Sequence, residues 1–352
     1  NQGYFRLNAP FDPFYMEYSP SRGFTYMNDF RLGYTFSPRT SLFVQFKAGY
    51  FFREKRVTFY APLVFYYNRE RNFYSRFELS TGNRIYSSTI ADRVSESLLN
   101  KLFDIGKDLY QFTDRYMKFD TNIDFSSKWG LRVGFVFHKR KPLDPSAFEL
   151  LAFPVVFRSF APSFELSIRP WGWKGPIFTI DYERSLSHAF KSNTSYERWE
   201  IDGQYLHRLS RLRALSMRLG TGFYTQKGRS SYFLDYSNFR ENTIPGGWND
   251  GWTGEFELLN ASWYNASNYY VRGNFTYETP LLAVSWLPLV GHYIEMERIY
   301  VSALSVKSLH PYLECGYGFT TRLFSIGAFV SNRNWKFDGF GLKFGFELFR
   351  HW

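Results

Sequence analysis

The sequence predicts an all-β chain, a transmembrane antiparallel up-and-down β-barrel of about 14–16 strands. Three observations carry that expectation. Aromatic residues make up 22% of the 352 residues, as 40 Phe, 27 Tyr and 10 Trp, while 21% are charged. No run approaches the roughly 20 apolar residues that a spanning helix needs. Segment after segment alternates apolar with polar or glycine positions over about ten or more residues, where about five or six is usual for a strand. A soluble sandwich also alternates, but it would not combine strands of this length with so many aromatics. A lipid-facing barrel would, with apolar side chains outside and polar ones toward the lumen.

The strands follow one another with few interruptions. From Phe24 the even positions Tyr26, Asn28, Phe30, Leu32, Tyr34 and Phe36 make a largely apolar face. Thr25, Met27, Asp29, Arg31, Gly33 and Thr35 make the other, which defines a strand over 24–36. Ser37-Pro38-Arg39-Thr40 then turns the chain into a strand over 41–53, giving a hairpin. Strands over 56–67, 72–86 and 112–127 precede one over 130–141, in which Leu131, Val133, Phe135 and Phe137 oppose Arg132, Gly134, Val136 and His138. After a strand over 157–169, the 175–187 strand sets Phe178, Ile180 and Tyr182 against Thr179, Asp181 and Glu183. Strands over 195–209 and 213–226 follow, the second with Leu215, Met217, Leu219 and Phe223 against Ser216, Arg218, Gly220 and Gly222. The last five cover 269–279, 297–307, 310–321, 323–333 and 337–350. These total about 15, and a bacterial single-chain barrel has an even number. Residues 12–18 or 255–263 would supply the extra strand.

Three connections are not simple turns. Between 88 and 112, Ile90, Val94, Leu98, Leu102, Ile105 and Leu109 recur at helical spacing behind a Thr89–Asp92 capping pair, predicting one amphipathic helix. It would cover a barrel mouth or lie at the membrane interface. Residues 232–268 form a long, Trp-rich, turn-rich connection, either extracellular or folded into the lumen. Pro280–Gly291 is apolar but short and holds two prolines, so it reads as a connection rather than a span.

The alternation places Asp29, Arg31, Arg132, Asp181, Glu183, Arg218, Arg272 and Glu314 toward the lumen. Formal charge is +11, yet the basic residues are scattered along strands or gathered near turns and no recognition motif accompanies them, so no nucleic-acid partner is expected. The six histidines stand apart in the sequence, Cys315 has no second cysteine to pair with, and no His/Cys grouping has metal-ligand spacing. No catalytic residue, cofactor or metal is assigned, and the chain is not expected to be an enzyme. Glu295 and Glu297, two apart in extended chain, are a weak candidate for paired acid–base work.

The final strand alternates Phe340, Leu342, Phe344, Phe346 and Leu348 with Gly341, Lys343, Gly345 and Glu347, and the sequence ends at Trp352. Phe344, Phe346, Leu348 and Trp352 thus have the form of a terminal signal by which nascent barrels are recognised for assembly. The expected organisation is one barrel domain over 1–352, the C-terminal part of a longer chain.

Several stretches carry a resemblance. Tyr18–Phe24, Gly82–Ser88, Tyr110–Tyr116, Tyr277–Leu282, Glu297–Tyr300, Pro311–Phe319 and Gly341–Phe349 resemble a Bacteroidota outer-membrane family of unassigned function. Its members carry a carboxypeptidase-regulatory-like domain before a C-terminal barrel. The Tyr-Glu-x-Pro strand and the last strands are more distantly similar to the surface-antigen superfamily of barrel-assembly translocases. Val271-Arg272-Gly273 matches the start of that superfamily's loop motif, but Asn274 replaces its aromatic residue and the tripeptide lies within a strand. The resemblance implies a bacterial outer-membrane location and a role in envelope biogenesis, as an assembly or anchoring factor; the inward charges suggest a channel or transporter as the alternative. Implied partners are outer-membrane lipid and lipopolysaccharide, the barrel-assembly machinery during biogenesis, and other envelope proteins.

Overall fold

The computed structural model describes residues 2–7, 16–19, 23–52, 55–85, 111–142, 145, 149, 154–228, 256, 258–259, 269–288, 291–307, 309–322 and 324–346. Its strands are β1 (Gly3–Leu7), β2 (Met16–Ser19), β3 (Gly23–Thr35), β4 (Ser41–Phe51), β5 (Arg56–Asn68), β6 (Phe73–Ile85), β7 (Gln111–Asp124), β8 (Trp129–Pro142) and β9 (Phe157–Ile168). They continue with β10 (Ile177–Arg184), β11 (Glu197–Arg208), β12 (Ala214–Gln226), β13 (Tyr269–Thr279), β14 (Ile294–Val306), β15 (Leu309–Thr321), β16 (Phe324–Arg333) and β17 (Lys336–Phe346).

All are part of one antiparallel up-and-down sheet. The fifteen long strands β3–β17 coincide with the fifteen expected segments. The extra strand is β2, at the end of the 12–18 stretch; of residues 255–263 only 256, 258 and 259 are described, and none is in a strand. Both short strands lie on β3, β1 against Phe30–Tyr34 and β2 against Gly23–Tyr26. They share the edge that β4 leaves open, so seventeen strands fill sixteen positions.

Some ends differ from expectation. β10 stops at Arg184, and the chain reverses shortly after it, where His188, Phe190 and Lys191 take left-handed backbone conformations around the 3-10 turn Ala189–Lys191. β14 begins three residues early, through a bulge between Ile294 and Met296. Phe344 and Phe346 pair with Ile326 and Phe324, whereas Leu348 and Trp352, the predicted helix at 88–110 and most of the 232–268 connection lie outside the described residues.

Two compact units divide the sheet. The first comprises Asn1–Ser167, Asp181–Arg198 and Thr225–Phe233, and the second Ile168–Ile180, Trp199–Tyr224 and Leu234–Trp352. In the first, Asp29, Glu78, Asp114, Asp120, Asn122, Asp124 and Arg140 are buried while Phe46, Leu63 and Val133 are exposed. In the second, Tyr270, Arg272, Asn274 and Thr276 of β13 are buried and alternate with exposed Val271 and Phe275. Among the described residues, buried polar and charged side chains outnumber buried hydrophobic ones. The polarity of a soluble domain is thus inverted.

A small apolar core lies on the second unit's buried face, where Phe256 packs among Tyr270, Leu304, Val306, Leu309 and Tyr312. Leu258 rests on Tyr300 and Phe329. In the first unit, close strand pairing depends on Gly134, where an added Cβ would come within 2.1 Å of the Phe119 carbonyl oxygen. Gly134→Val is expected to cost about 1–3 kcal/mol by forcing β7 and β8 apart, read as a lower urea midpoint; an unchanged midpoint would contradict that packing.

Candidate functional site: the charged buried face

Period-two alternation puts every second strand residue on the buried face, and there the charges are matched across neighbouring strands. The densest group lies in the second unit on β11, β12 and β13. Asp202 accepts from Arg218 Nε at 3.2 Å, from Arg272 at 2.9 Å and from Gln204 at 3.0 Å. Side chains of Asp202 and Arg272 are each 2% exposed. Gly220 makes the approach possible: opposite Arg272 in the ladder, it would set a Cβ 2.8 Å from the Asp202 carboxylate and 3.1 Å from Arg272 Nε. Tyr270, two residues before Arg272 and so on the same face, donates to Glu200 at 2.6 Å.

In the first unit, Arg198 donates to Glu183 at 2.7 Å and lies 3.7 Å from Asp181. Tyr196 also donates to Glu183. Burial first, and the adjacent carboxylate second, push the Tyr196 hydroxyl well above the usual tyrosine range, so it remains a donor. Arg132 pairs with Glu165, and Asp29 accepts from Arg31 at 2.7 Å and from Gln45 at 2.9 Å. His138, alone in the sequence, is brought 3.1 Å from Asp114, which Arg140 also meets at 3.3 Å.

Glu314 has a different task. It accepts from the Tyr312 hydroxyl at 2.8 Å and from the backbone N–H of Leu258 at 3.0 Å, fastening part of the 232–268 connection to the buried face of β15. Of the eight residues expected to face the lumen, Asp29, Asp181, Glu183, Arg272 and Glu314 are buried and Arg31, Arg132 and Arg218 are partly exposed, and each meets an oppositely charged or hydrogen-bonding partner.

Sequence reasoning passed over Asp202 and named Glu297 only as half of an acid–base pair, not for the role it has. Asp202 was legible, because it alternates with Arg198 and Glu200 on β11. Glu297 was not: its partners come from Leu282–Ser285, a segment the sequence marks only as apolar. There Glu297 accepts from the N–H groups of Leu282, Ala283 at 3.1 Å, Val284 at 2.7 Å and Ser285 at 3.3 Å, and from the hydroxyls of Ser285 at 2.7 Å and Tyr317. Glu295, across the bulge, is exposed and pairs with Arg322 at 3.5 Å. The two carboxylates have separate partners and do not form an acid–base pair. No group of three or more His, Cys, Asp or Glu suited to a metal occurs among the described residues.

The model of the C-terminal domain of a family of unknown function, DUF5686, matches residues 1–162 and 170–319. The chain belongs to this family. No curated protein matches the sequence. Among solved structures, the DUF5686 chain is similar to BamA from Haemophilus ducreyi lacking POTRA domains 1–3, with a TM-score of 0.56 at 11% identity, over 98% of this chain and 69% of that one. That likeness is one of fold. Arg272 lies in β13 itself with its side chain on the buried face, as the strand reading of Val271-Arg272-Gly273 required.

Proposed function

We propose that this DUF5686 domain is an integral β-barrel of the bacterial outer membrane, serving envelope biogenesis as an assembly or anchoring factor. The observation that carries the membrane reading is the inverted polarity: large apolar residues point out of the sheet and charges point in. Strand length agrees. A strand of 11 residues such as β13 extends about 36 Å, and a tilt of about 40° leaves about 28 Å along the normal, enough for an apolar band of roughly 25 Å. The long connections 86–110, 143–156 and 227–268 follow β6, β8 and β12, so in an up-and-down order they share one end, which this reading makes extracellular. Short turns such as 36–40 and 125–128 then face the periplasm. On this reading the chain is the membrane-embedded part of a longer protein, and lipid, lipopolysaccharide and the barrel-assembly machinery are its surroundings and partners.

Assembly or anchoring is preferred over transport because of residues 256–259. Phe256 and Leu258 occupy the buried face of β13–β16, and the buried Arg272, Glu297 and Glu314 of that face already have partners within the protein: the Asp202 carboxylate for Arg272, and hydroxyl and backbone N–H groups for the two glutamates. Depletion of the protein should lower the abundance of other outer-membrane proteins or surface lipoproteins in quantitative proteomics. An unchanged outer-membrane proteome, together with steady single-channel conductance in planar bilayers, would replace this reading with the channel.

A further inference from the structure

The short turn that follows β9, together with β11 and β12, lines an open cavity of about 810 Å³ in the second unit. Its walls include Trp173, Lys174, Leu206, His207, Arg208 and Arg218, and no Asp or Glu lines it. Arg218 is held by Asp202. Lys174 and Arg208 have no ion-pair partner among the described residues, so the cavity presents two uncompensated cations beside apolar wall.

The wall is preorganised. Arg169, itself buried, stacks its guanidinium 4.1 Å from the Trp173 ring centre. Trp171 meets Tyr205 edge-on at 5.7 Å, and the Tyr205 hydroxyl lies 2.9 Å from His207 Nδ1. The wall also exposes Trp173 at 55% and Leu206 at 52%. Exposed indole and leucine next to unpaired cations is the chemistry of an amphiphile with an anionic head, since the rings favour the polar–apolar boundary and the cations favour phosphate.

We propose that this cavity binds an anionic phospholipid, with Lys174 and Arg208 on the headgroup phosphate and the acyl chains against Trp173 and Leu206 of the same wall. The proposal rests on the membrane reading, which puts this turn at the leaflet facing the periplasm. A nucleic acid or phosphopeptide would leave the apolar wall without a counterpart.

Native mass spectrometry of the purified full chain tests it, with phosphatidylglycerol, phosphatidylcholine and inorganic phosphate as probes. The wild type should retain phosphatidylglycerol, and Lys174→Gln/Arg208→Gln should weaken that retention about thirtyfold, two surface cations being lost. Phosphatidylcholine should bind less tightly, and inorganic phosphate should not displace the lipid. Equal retention by the double variant would overturn the site, and displacement by millimolar phosphate would make it a free-anion site instead. Alkali-washed membranes separate this from the underlying reading: a protein released by the wash refutes the membrane location, whereas a retained protein with unaltered lipid binding refutes only the cavity.

Discussion

Asp202→Ala is expected to destabilise the protein by about 3–5 kcal/mol, because it removes the carboxylate shared by two guanidinium groups that remain on the buried face. Arg272 is 2% exposed and Arg218 11%, so neither can recover its solvation by a small movement. Asp202→Asn keeps an acceptor oxygen without the charge and should fall between wild type and alanine. The measurement is the urea midpoint of the protein in detergent or vesicles, followed by the mobility of unheated samples on gels. A midpoint equal to wild type for Asp202→Ala would mean that the β11–β13 cluster is not an energetic unit.

The second large effect is at Glu297, which is fully buried. Glu297→Ala deprives the N–H groups of Leu282 to Ser285 of their shared acceptor, and the loss should reach at least about 3 kcal/mol, since hydrogen bonds to a charged group are stronger than neutral ones. Glu297→Gln should not restore it, because the amide nitrogen would face backbone donors. The local signature is proteolytic: cleavage within 280–293 should rise steeply in the variant while cleavage elsewhere stays as in wild type. Cleavage spread evenly along the chain would contradict a local clamp.

These two sites show how far the sequence could be read. Period-two alternation depends only on the pleat, so strand positions and facing were legible, and Asp29, Asp181, Arg272 and Glu314 could be placed on the buried face without any structure. Partner choice across strands depends on register, which alternation does not set. Asp202 and Arg272 are 70 residues apart, and nothing local announces that they meet over Gly220. The Glu297 clamp was hidden for a related reason: its donors are backbone N–H groups, which every sequence supplies. Likewise the strand at Met16–Ser19 was legible only as one of two alternatives, because a four-residue strand carries little periodic signal.

The central claim is that the outward face of this sheet meets lipid. Nitroxide labels attached to single cysteines at 271, 274, 275, 276, 301 and 302, in a Cys315→Ser background and in reconstituted vesicles, test it by comparing collisions with oxygen and with a water-soluble nickel chelate. Labels at 271, 275 and 301 should collide preferentially with oxygen, and those at 274, 276 and 302 should not, giving a period of two along β13 and β14. If labels at 271, 275 and 301 collide with the nickel chelate as freely as a label on the exposed turn residue Ser210, the outward face is in water and the membrane reading is wrong.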